Sequence, residues 1–446
     1  MSTASPKEIS LTGSFGASVF ADHLSAVAGE PAWWLERKRE SHTAFAAAAL
    51  PRRTDESWRF SSLGALTLDG FAIPGSSVGV DGTVLTAAAA FPVPTAARLS
   101  FVNGRPAGSH AIAPELAARG VVVIPLSKAL ETHGELLRQH FMAQPQRLGS
   151  AKFAALHTAF VADGAFIYVP RGVEIDQPIL VSHWAFGAGA AVFPHTLVLA
   201  EENSRVTVID RFGSADAEAH FALGANDLYA GHGSQVTYLG VQDWSRKTVS
   251  LQLNSTVVRR DARVRSLNLH LGGKLARHES LSQLQAPGAF SEMLALTIAT
   301  EEQEFDQRTL QIHQAPNTRS DLLYKNALMD RTRTIFSGLI IVDPDAQKTD
   351  AYQSNRNLML SDDAEANSLP GLEIQANDVR CTHGATSARI DPEQEFYLRA
   401  RGIPPDKAEE LLIFGFFEEV LARLDTPGVP DLLRGLVQSK FSARGR

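Results

Sequence analysis

The sequence feature that most constrains the fold is a repeat of short strand-like runs at a nearly constant spacing. From about residue 160 to about residue 400, β-branched runs alternate with Gly, Asn, Asp and Pro, and helical patterns are few. The runs recur after 30, 28, 27, 29, 28 and 30 residues. The last four match weakly in composition, so the period is better defined than the register. The small residues that open the runs are Ser204, Ser234, Ala262, Ala289, Thr318, Ala346 and Ala376.

A period of this length, formed by strands without intervening helices, is typical of the coils of a β-solenoid. One coil cannot bury its own apolar face, so neighbouring coils must stack. A large β-sandwich with irregular loops is the alternative, although the turns of a sandwich usually recur about every 8 to 12 residues. The repeat therefore favours a mainly β protein with a solenoid core.

Helical patterns flank the repeat on both sides. Apolar residues spaced three and four apart predict one helix within residues 31–50 and another over residues 126–142. Near the C-terminus, a long amphipathic helix is predicted to begin at Pro405, and a shorter one covers residues 430–441. We predict an N-terminal helical and mixed domain over residues 1–150, a solenoid core over residues 151–395 and a C-terminal helical domain over residues 396–446.

Composition limits the cellular compartment and the kinds of partner that we expect for this chain. The chain of 446 residues has one cysteine, which excludes an intramolecular disulfide. Its net charge of −7 argues against nucleic acid as an obligatory partner. Residues 1–8 lack the pattern of a signal peptide, and no apolar run is long enough to span a bilayer. We therefore expect a cytoplasmic protein that does not bind membranes.

The chemistry-bearing stretch is residues 378–386, which contains the single cysteine, Cys381, and His383. On a strand these two side chains share a face, roughly 6.5 to 7 Å apart along the backbone. Thiolate and imidazole both bind iron, zinc or copper. Free cysteine also occurs as a small buried hydrophobe. A zinc site made by one chain needs three or four ligands, so a stand-alone metal site would require a distant histidine as well.

Other candidates have simpler interpretations. His270 and His313 lie in strand-like runs, where we predict hydrogen-bonded buried histidines. A solenoid enzyme acting on carbohydrate would need carboxylates grouped in one groove, but the acidic pairs fall in turn-like contexts. Those pairs are Asp343 with Asp345, Asp362 with Asp363, and Glu301 with Glu302.

Two further observations concern partners. The segment Gly272-Gly273-Lys274 lacks the spacing of a phosphate-binding loop, so any ATP hydrolysis must come from another chain. The predicted C-terminal helix has an apolar arc wider than one core contact requires, which fits either a core face or a docking face. The residues that we single out on it are Phe416, Phe417, Val420 and Leu421.

Together these segments resemble the SufB/SufD family of the SUF iron–sulfur cluster assembly system. The resemblance is carried by residues 381–391 (CTHGATSARID) and 395–403 (EFYLRARGI) and extends over most of the chain. Further matching segments are residues 306–313 (DQRTLQIH), 320–325 (SDLLYK), 336–338 (FSG), 160–173 (FVADGAFIYVPRGV), 31–33 (PAW) and 56–58 (ESW).

The resemblance implies a right-handed parallel β-helix between helical terminal domains. Within the family, the Cys-x-His-Gly form and the single cysteine are similar to SufD-type members. SufB-type scaffolds, the alternative, typically carry an acidic Glu-His-Glu run and additional cysteines.

What the resemblance implies for function is a non-enzymatic assembly subunit. It would pair with SufB through the end of its β-helix, and its C-terminal helices would dock the SufC ATPase, with Phe416 and Phe417 on the expected face. A transient iron–sulfur cluster would form at the SufB–SufD interface, with His383 implicated and Cys381 beside it. The family also suggests that a reduced flavin binds the complex.

Overall fold

The computed structural model describes residues 11–75, 92–108 and 111–442. Residues 1–8, used above for the signal-peptide argument, lie outside that part of the chain. Among the described residues, every helix is too short or too polar to cross a bilayer.

Helices occupy both ends of the chain. Single 3-10 turns at Glu56–Trp58 and Leu63–Ala65 lie between α2 and the first strand. The helices are α1 (Ala17–Ala26), α2 (Ala32–Ala47), α3 (Pro114–Ala118), α4 (Leu126–Thr132), α5 (Gly134–His140), α6 (Ala151–Phe160), α7 (Pro392–Ala400), α8 (Pro405–Leu421) and α9 (Val429–Ser442).

Two helical segments differ from the prediction. The helix expected over residues 126–142 is two helices, α4 and α5, separated at His133. The backbone N–H of His133 donates to Ala129 O at 2.7 Å and forms the last hydrogen bond of α4. Helix α6 was not predicted. Eight of its ten residues are buried, so it lacks the polar face that makes helical periodicity visible.

Strands fill the region between the helices. They are β1 (Ala97–Val102), β2 (Arg105–Pro106), β3 (Ala111–Ile112), β4 (Val122–Pro125), β5 (Ala165–Val169), β6 (Ile179–Ala185), β7 (Ala191–Val192), β8 (His195–Ala200), β9 (Arg205–Ser214), β10 (Phe221–Ala230), β11 (Gln235–Asp243), β12 (Val249–Val258), β13 (Arg263–His270), β14 (Leu275–Leu284), β15 (Phe290–Ala299), β16 (Glu304–His313), β17 (Arg319–Leu328), β18 (Arg333–Val342), β19 (Asp350–Met359), β20 (Glu365–Ile374) and β21 (Arg380–Arg389).

The strands form two sheets that the chain visits alternately. The first sheet has the order β2-β1-β6-β9-β11-β13-β15-β17-β19-β21, and the second has the order β20-β18-β16-β14-β12-β10-β8-β5-β4. From β6 in the first sheet and β5 in the second, neighbouring strands along these orders pair in parallel, and each coil contributes one strand to each sheet. The predicted mainly β solenoid is confirmed, and the alternative of a large β-sandwich with irregular loops is wrong.

The repeat seen in the sequence corresponds to the turn before each strand of the first sheet. Five of the seven predicted starts lie one residue before β9, β11, β13, β15 and β17. The last two predicted starts, Ala346 and Ala376, are three residues too early. The residues directly before β19 and β21 are Thr349 and Val379. Ala346 misleads because it is also small and buried, and its carbonyl accepts the Thr349 hydroxyl at 2.8 Å. The same bond, from a hydroxyl to the carbonyl three residues earlier, recurs at Ser204, Ser234 and Thr318.

The two helical regions cover opposite outer faces of the solenoid. The N-terminal helices bury Phe15, Trp34 and Phe153 in a cluster that includes Phe221 and Leu251 of the second sheet. The C-terminal helices pack on the first sheet, where their apolar side chains join leucines of β13, β15 and β17. Each large side chain buried in this way contributes about 1.5 to 3 kcal/mol of transfer free energy.

The strand pairing also concerns the predicted domain boundaries. The parallel ladder of the first sheet extends back to β1, which pairs with β6, and α7 begins at Pro392. The domain boundaries predicted at residues 150 and 395 stay a prediction.

Candidate functional site

The solenoid has an open end formed by its last coil, which consists of β20 and β21 and is called the terminal coil below. Among the described residues, β20 pairs only with β18 and β21 only with β19, so each strand has one free backbone edge. A ten-residue strand edge with unpaired N–H and C=O groups is a template for adding another strand.

Cys381 and His383 lie on the inward-facing row of β21, as the strand prediction for this stretch requires. In the ladder, Cys381 is paired with Ala351 and His383 with Gln353, and both of those partners are buried inside the solenoid. His383 occupies an equivalent interior position but is exposed, because no further coil covers it. The open end therefore presents an imidazole that the fold would otherwise bury.

Cys381 is more enclosed than His383. Its side chain is half-buried and packs with Leu372 and Val379 against the interior cluster that contains Ile340 and Ala351. Burial raises the pKa of the Cys381 thiol, and the nearby Asp350 carboxylate raises it further. At neutral pH the thiol is therefore protonated, and it would have to lose its proton to bind a metal.

A layer of polar side chains lies directly beneath the terminal coil. Asn357 Nδ2 donates to Asn355 Oδ1 at 3.0 Å and to the hydroxyls of Ser368 and Ser387 at 3.3 Å each. The Ser368 hydroxyl donates to Asn355 Oδ1 at 2.7 Å. These bonds join the two sheets across the interior and hold the strands of the open end in a fixed register.

The described residues contain no cluster of three or more His, Cys, Asp or Glu side chains arranged to hold a metal ion. The structure thus brings Cys381 and His383 onto one face and adds no third ligand of these types to them. A cluster bound there would need ligands from outside this chain.

The two other histidines considered from the sequence are buried in the interior. His313 shares hydrogen bonds with the hydroxyls of Thr318 at 2.7 Å and Ser320 at 2.9 Å, and burial lowers its pKa to about 4. His270 Nδ1 shares a hydrogen bond with Thr297 Oγ1 at 3.2 Å, and its ring lies tilted against that of His278, with centroids 3.9 Å apart. Both interpretations as buried histidines are confirmed.

The acidic pairs lie in turns, as predicted. Glu301 and Glu302 form the turn before β16, Asp343 and Asp345 lie between β18 and β19, and Asp362 and Asp363 lie between β19 and β20. Because the three pairs lie in separate turns, they do not group with one another in one groove.

The predicted docking residues on α8 face the solenoid. Phe417, Val420 and Leu421 are fully buried against the first sheet. Phe416 is partly buried, with Lys325 Nζ 4.7 Å from its ring centroid and 2.7 Å from its carbonyl oxygen. In this chain the wide apolar arc is therefore largely a core face, and the docking role of these four residues stays a prediction.

A different apolar surface is exposed on the C-terminal helices. Phe396 and Tyr397 of α7 are 73% and 55% exposed, and Leu411 of α8 is 51% exposed. In the sequence, the segment EFYLRARGI contributes only to the family resemblance, and the exposed surface was not predicted. Its composition could have indicated that surface, since two adjacent aromatic residues lie in a short helix whose other residues are mostly polar and form no apolar stripe.

An acidic groove lies between the terminal coil and the C-terminal helices. It has a volume of about 760 Å³. Three of its carboxylates form ion pairs, Asp362 with Arg389 at 2.5 Å, Glu410 with Lys407 at 2.6 Å and Glu395 with Arg399 at 3.3 Å. Asp406 and Glu409 also line the groove.

Two family models match the chain. Residues 183–416 match the SufBD core domain of SUF system FeS cluster assembly proteins, and residues 17–181 match the SufBD N-terminal region. The chain is 30% identical over 410 residues to an iron–sulfur cluster assembly SufBD family protein of Synechocystis, covering 88% of this chain and 87% of that one. It is 30% identical to SufD of Bacillus subtilis (74% and 76% covered) and 29% identical to SufD of Escherichia coli (85% and 86% covered).

Proposed function

The chain belongs to the SufBD family of iron–sulfur cluster assembly proteins, and from that premise we propose that it is a non-enzymatic, SufD-type assembly subunit. In the cytoplasm it pairs with a SufB-type partner through the open end of its solenoid and binds a SufC-type ATPase through its C-terminal helices. Its similarity to relatives named SufD favours this role over that of a SufB-like scaffold.

The single observation that supports the proposal best is the open end. The terminal coil leaves two parallel strand edges unpaired and an interior row exposed. A solenoid of similar cross-section could continue both sheets and cover that row. Two edge strands of ten residues supply enough backbone groups for a stable, register-specific contact.

The proposed chemistry at this interface is shared ligation. His383 offers an imidazole at the exposed face, and the partner completes the ligand set around the nascent cluster, which is cargo rather than a resident cofactor. Cys381 would join only after its thiol loses a proton, which burial opposes. An incomplete set on each chain suits a subunit that must release what it assembles.

For the ATPase, we propose that the docking surface is formed by Phe396, Tyr397 and Leu411. These residues are exposed, whereas Phe417 and its buried neighbours already contact the first sheet. The reduced flavin that the resemblance implies is proposed for the assembled complex, and we assign no residue of this chain to it.

The test of the ligand role is His383→Ala in the co-expressed complex, with Thr382→Ala as the matched control on the opposite face of the same strand. We expect the His383 variant to co-purify with its partners but to lose most of the iron and acid-labile sulfide, while the control keeps both. Normal iron and sulfide contents in the His383 variant would refute the ligand role.

The test of the interface uses two arginine substitutions on β21. Ala385→Arg places a charge on the inward row of the open end, and Thr386→Arg places it on the outer face. We expect the first to abolish co-purification of the SufB-type partner and the second to preserve it. Equal recovery of the partner with both variants would show that the open end is not the interface.

A further inference from the structure

The edge strand β20 contains a proline near its middle. Pro370 is paired in the ladder with Gly338 of β18. A proline has no backbone N–H, so within a sheet it is confined to places where that position faces away from a ladder bond. The direction in which Pro370 faces therefore decides what this edge offers to a partner.

The hydrogen bonds at the two ends of β20 show which way its backbone groups point. At its start, Glu365 N donates to Thr332 O at 2.9 Å. Just past its end, Gln375 N donates to Val342 O at 2.9 Å. Residues of a parallel strand bond alternately to one side and the other, so the odd-numbered residues face β18. The even-numbered residues face the open edge, and they are Ala366, Ser368, Pro370, Leu372 and Ile374.

The edge of β21 has no such break. Arg380 N donates to Thr349 O at 2.8 Å, so the even-numbered residues of β21 face β19 and the odd-numbered ones face the open edge. Each of the odd-numbered residues has a backbone N–H; they are Cys381, His383, Ala385, Ser387 and Arg389. The two edges of the open end therefore differ, because only that of β20 lacks a donor.

The missing donor lies across the interior from His383. In the coil beneath, Gln353 Nε2 donates across the interior to Gly338 O at 3.2 Å. His383 is stacked on Gln353 in the first sheet, and Pro370 is stacked on Gly338 in the second. The same Nε2 also donates to the oxygen of Gly371, which follows Pro370, at 3.2 Å. His383 and Pro370 thus face each other in the terminal coil.

We infer that Pro370 is a positioning residue that prevents a bound partner from closing the second sheet over His383. A strand added to β20 finds no donor at this point, and the proline Cδ occupies the place of the missing hydrogen, so the added strand is interrupted or bulged there. The edge of β21 accepts an unbroken strand. The inference rests on the proposed pairing through the open end and adds which of the two sheets stays open.

An opening at this level suits the proposed chemistry. The nascent cluster is cargo, so iron and sulfide have to reach His383 and leave it while the partner is bound. Two unbroken sheets would shield the imidazole on both sides. The gap at Pro370 leaves one side accessible without weakening the pairing along β21.

The test compares two variants of β20 in the co-expressed complex. Pro370→Ala supplies the missing N–H, and Ala366→Pro removes a donor that the same edge already has. One backbone hydrogen bond changes a dissociation rate by about 2- to 10-fold. We expect Pro370→Ala to slow dissociation of the SufB-type partner by this factor and Ala366→Pro to speed it. A proline that only packed against the partner predicts the opposite sign for Pro370→Ala, because truncation would then weaken the contact.

The opening itself is tested with diethyl pyrocarbonate, a small reagent that modifies accessible imidazoles. The complex is prepared without iron, and modified His383 is quantified by mass spectrometry against His232, an exposed histidine in a turn. We expect His383 to react in the wild-type complex and to react more slowly in the Pro370→Ala complex. A His383 that is fully protected in the wild-type complex would overturn the inference.

The two variants also separate this inference from the proposed interface. Faster dissociation with Ala366→Pro but none slower with Pro370→Ala would overturn the inference and leave the interface in place. Unchanged dissociation in both variants would refute the interface, and the inference with it. The unfolding temperature of each isolated chain is the control for folding, since neither change removes a ladder bond to β18.

Discussion

Replacing Asp306 with asparagine should remove a large part of the folding free energy, because this carboxylate is the centre of a buried ion network. It accepts hydrogen bonds from Arg277, from Arg308 Nε at 2.6 Å and from the Ser61 hydroxyl. Glu279 is the second acid, 2.7 Å from Arg277 Nε. The network joins the segment after α2 to the outer face of the second sheet.

The magnitude follows from the charge balance. Two buried guanidinium groups now face two buried carboxylates, and Asp306→Asn leaves the two cations with one. Removing one partner of a buried ion pair costs about 3–5 kcal/mol, against a total stability of about 5–15 kcal/mol for a typical domain. Arg331→Gln is the control, because its pair with Glu302 is about two-thirds exposed on both sides and such pairs contribute about 0–1 kcal/mol.

The assay is urea unfolding at neutral pH, followed by circular dichroism and tryptophan fluorescence. Trp58, one of five tryptophans in the chain, contributes a signal from the contact itself, since the Arg277 guanidinium lies 3.7 Å from its ring centroid. A fluorescence transition that precedes the loss of circular dichroism would mean that the segment detaches locally first. The reasoning would be refuted by an Asp306→Asn variant that loses no more stability than Arg331→Gln.

The effect should also depend on pH in a defined direction. Burial alone would raise the pKa of Asp306, but the charges of Arg277 and Arg308 outweigh burial and hold it below its usual range. The stabilisation is therefore complete above the unfolded-state pKa of about 3.9 and is lost as the pH falls through the lower folded-state value. The difference between wild type and Asp306→Asn should shrink only in strong acid.

Three further predictions use the same unfolding assay, and the last also uses co-purification of the ATPase. Burial lowers the pKa of Lys440 to about 7, so folding releases a proton between that pH and about 10. The free energy of unfolding should therefore rise with pH in this range, and Lys440→Met should flatten that rise. Gly338→Ala should cost about 1–3 kcal/mol, because its Cβ would lie 2.5 Å from a buried amide oxygen, whereas Gly384→Ala meets nothing within 4 Å and should be neutral. Phe417→Ala should cost about 3–5 kcal/mol, while Phe396→Ala, at an exposed position, should change ATPase binding and not folding.

Much of the fold could be predicted from the sequence because the solenoid repeats itself. The 28-residue spacing reflects turns that fix small buried residues such as Ser204 and Thr318, and these leave a mark even where composition varies. Helix α6 shows no recognisable pattern in the sequence, since nearly all of its residues are buried and it has no polar face. The sheet to which each strand belongs also depends on stacking between distant segments, which no local pattern records.

The candidate site was predictable in part. The alternation rule was enough to place Cys381 and His383 on one face of a strand. It could not show that this strand is the last of its sheet, which is what exposes His383. The apolar arc of α8 was ambiguous for a similar reason, because a wide stripe on one helix does not reveal whether the second contact is the protein's own sheet or another molecule.

The open end also has a consequence for local dynamics. A coil inside the stack is held by neighbours on both sides, whereas the terminal coil is held on one, so its opening free energy should be the lowest in the solenoid. Amide hydrogens of β20 and β21 should then exchange faster than those of β14 and β16, and they should slow when the end is covered. The residues that bind a partner would thus be the last to become rigid, and they would do so upon assembly.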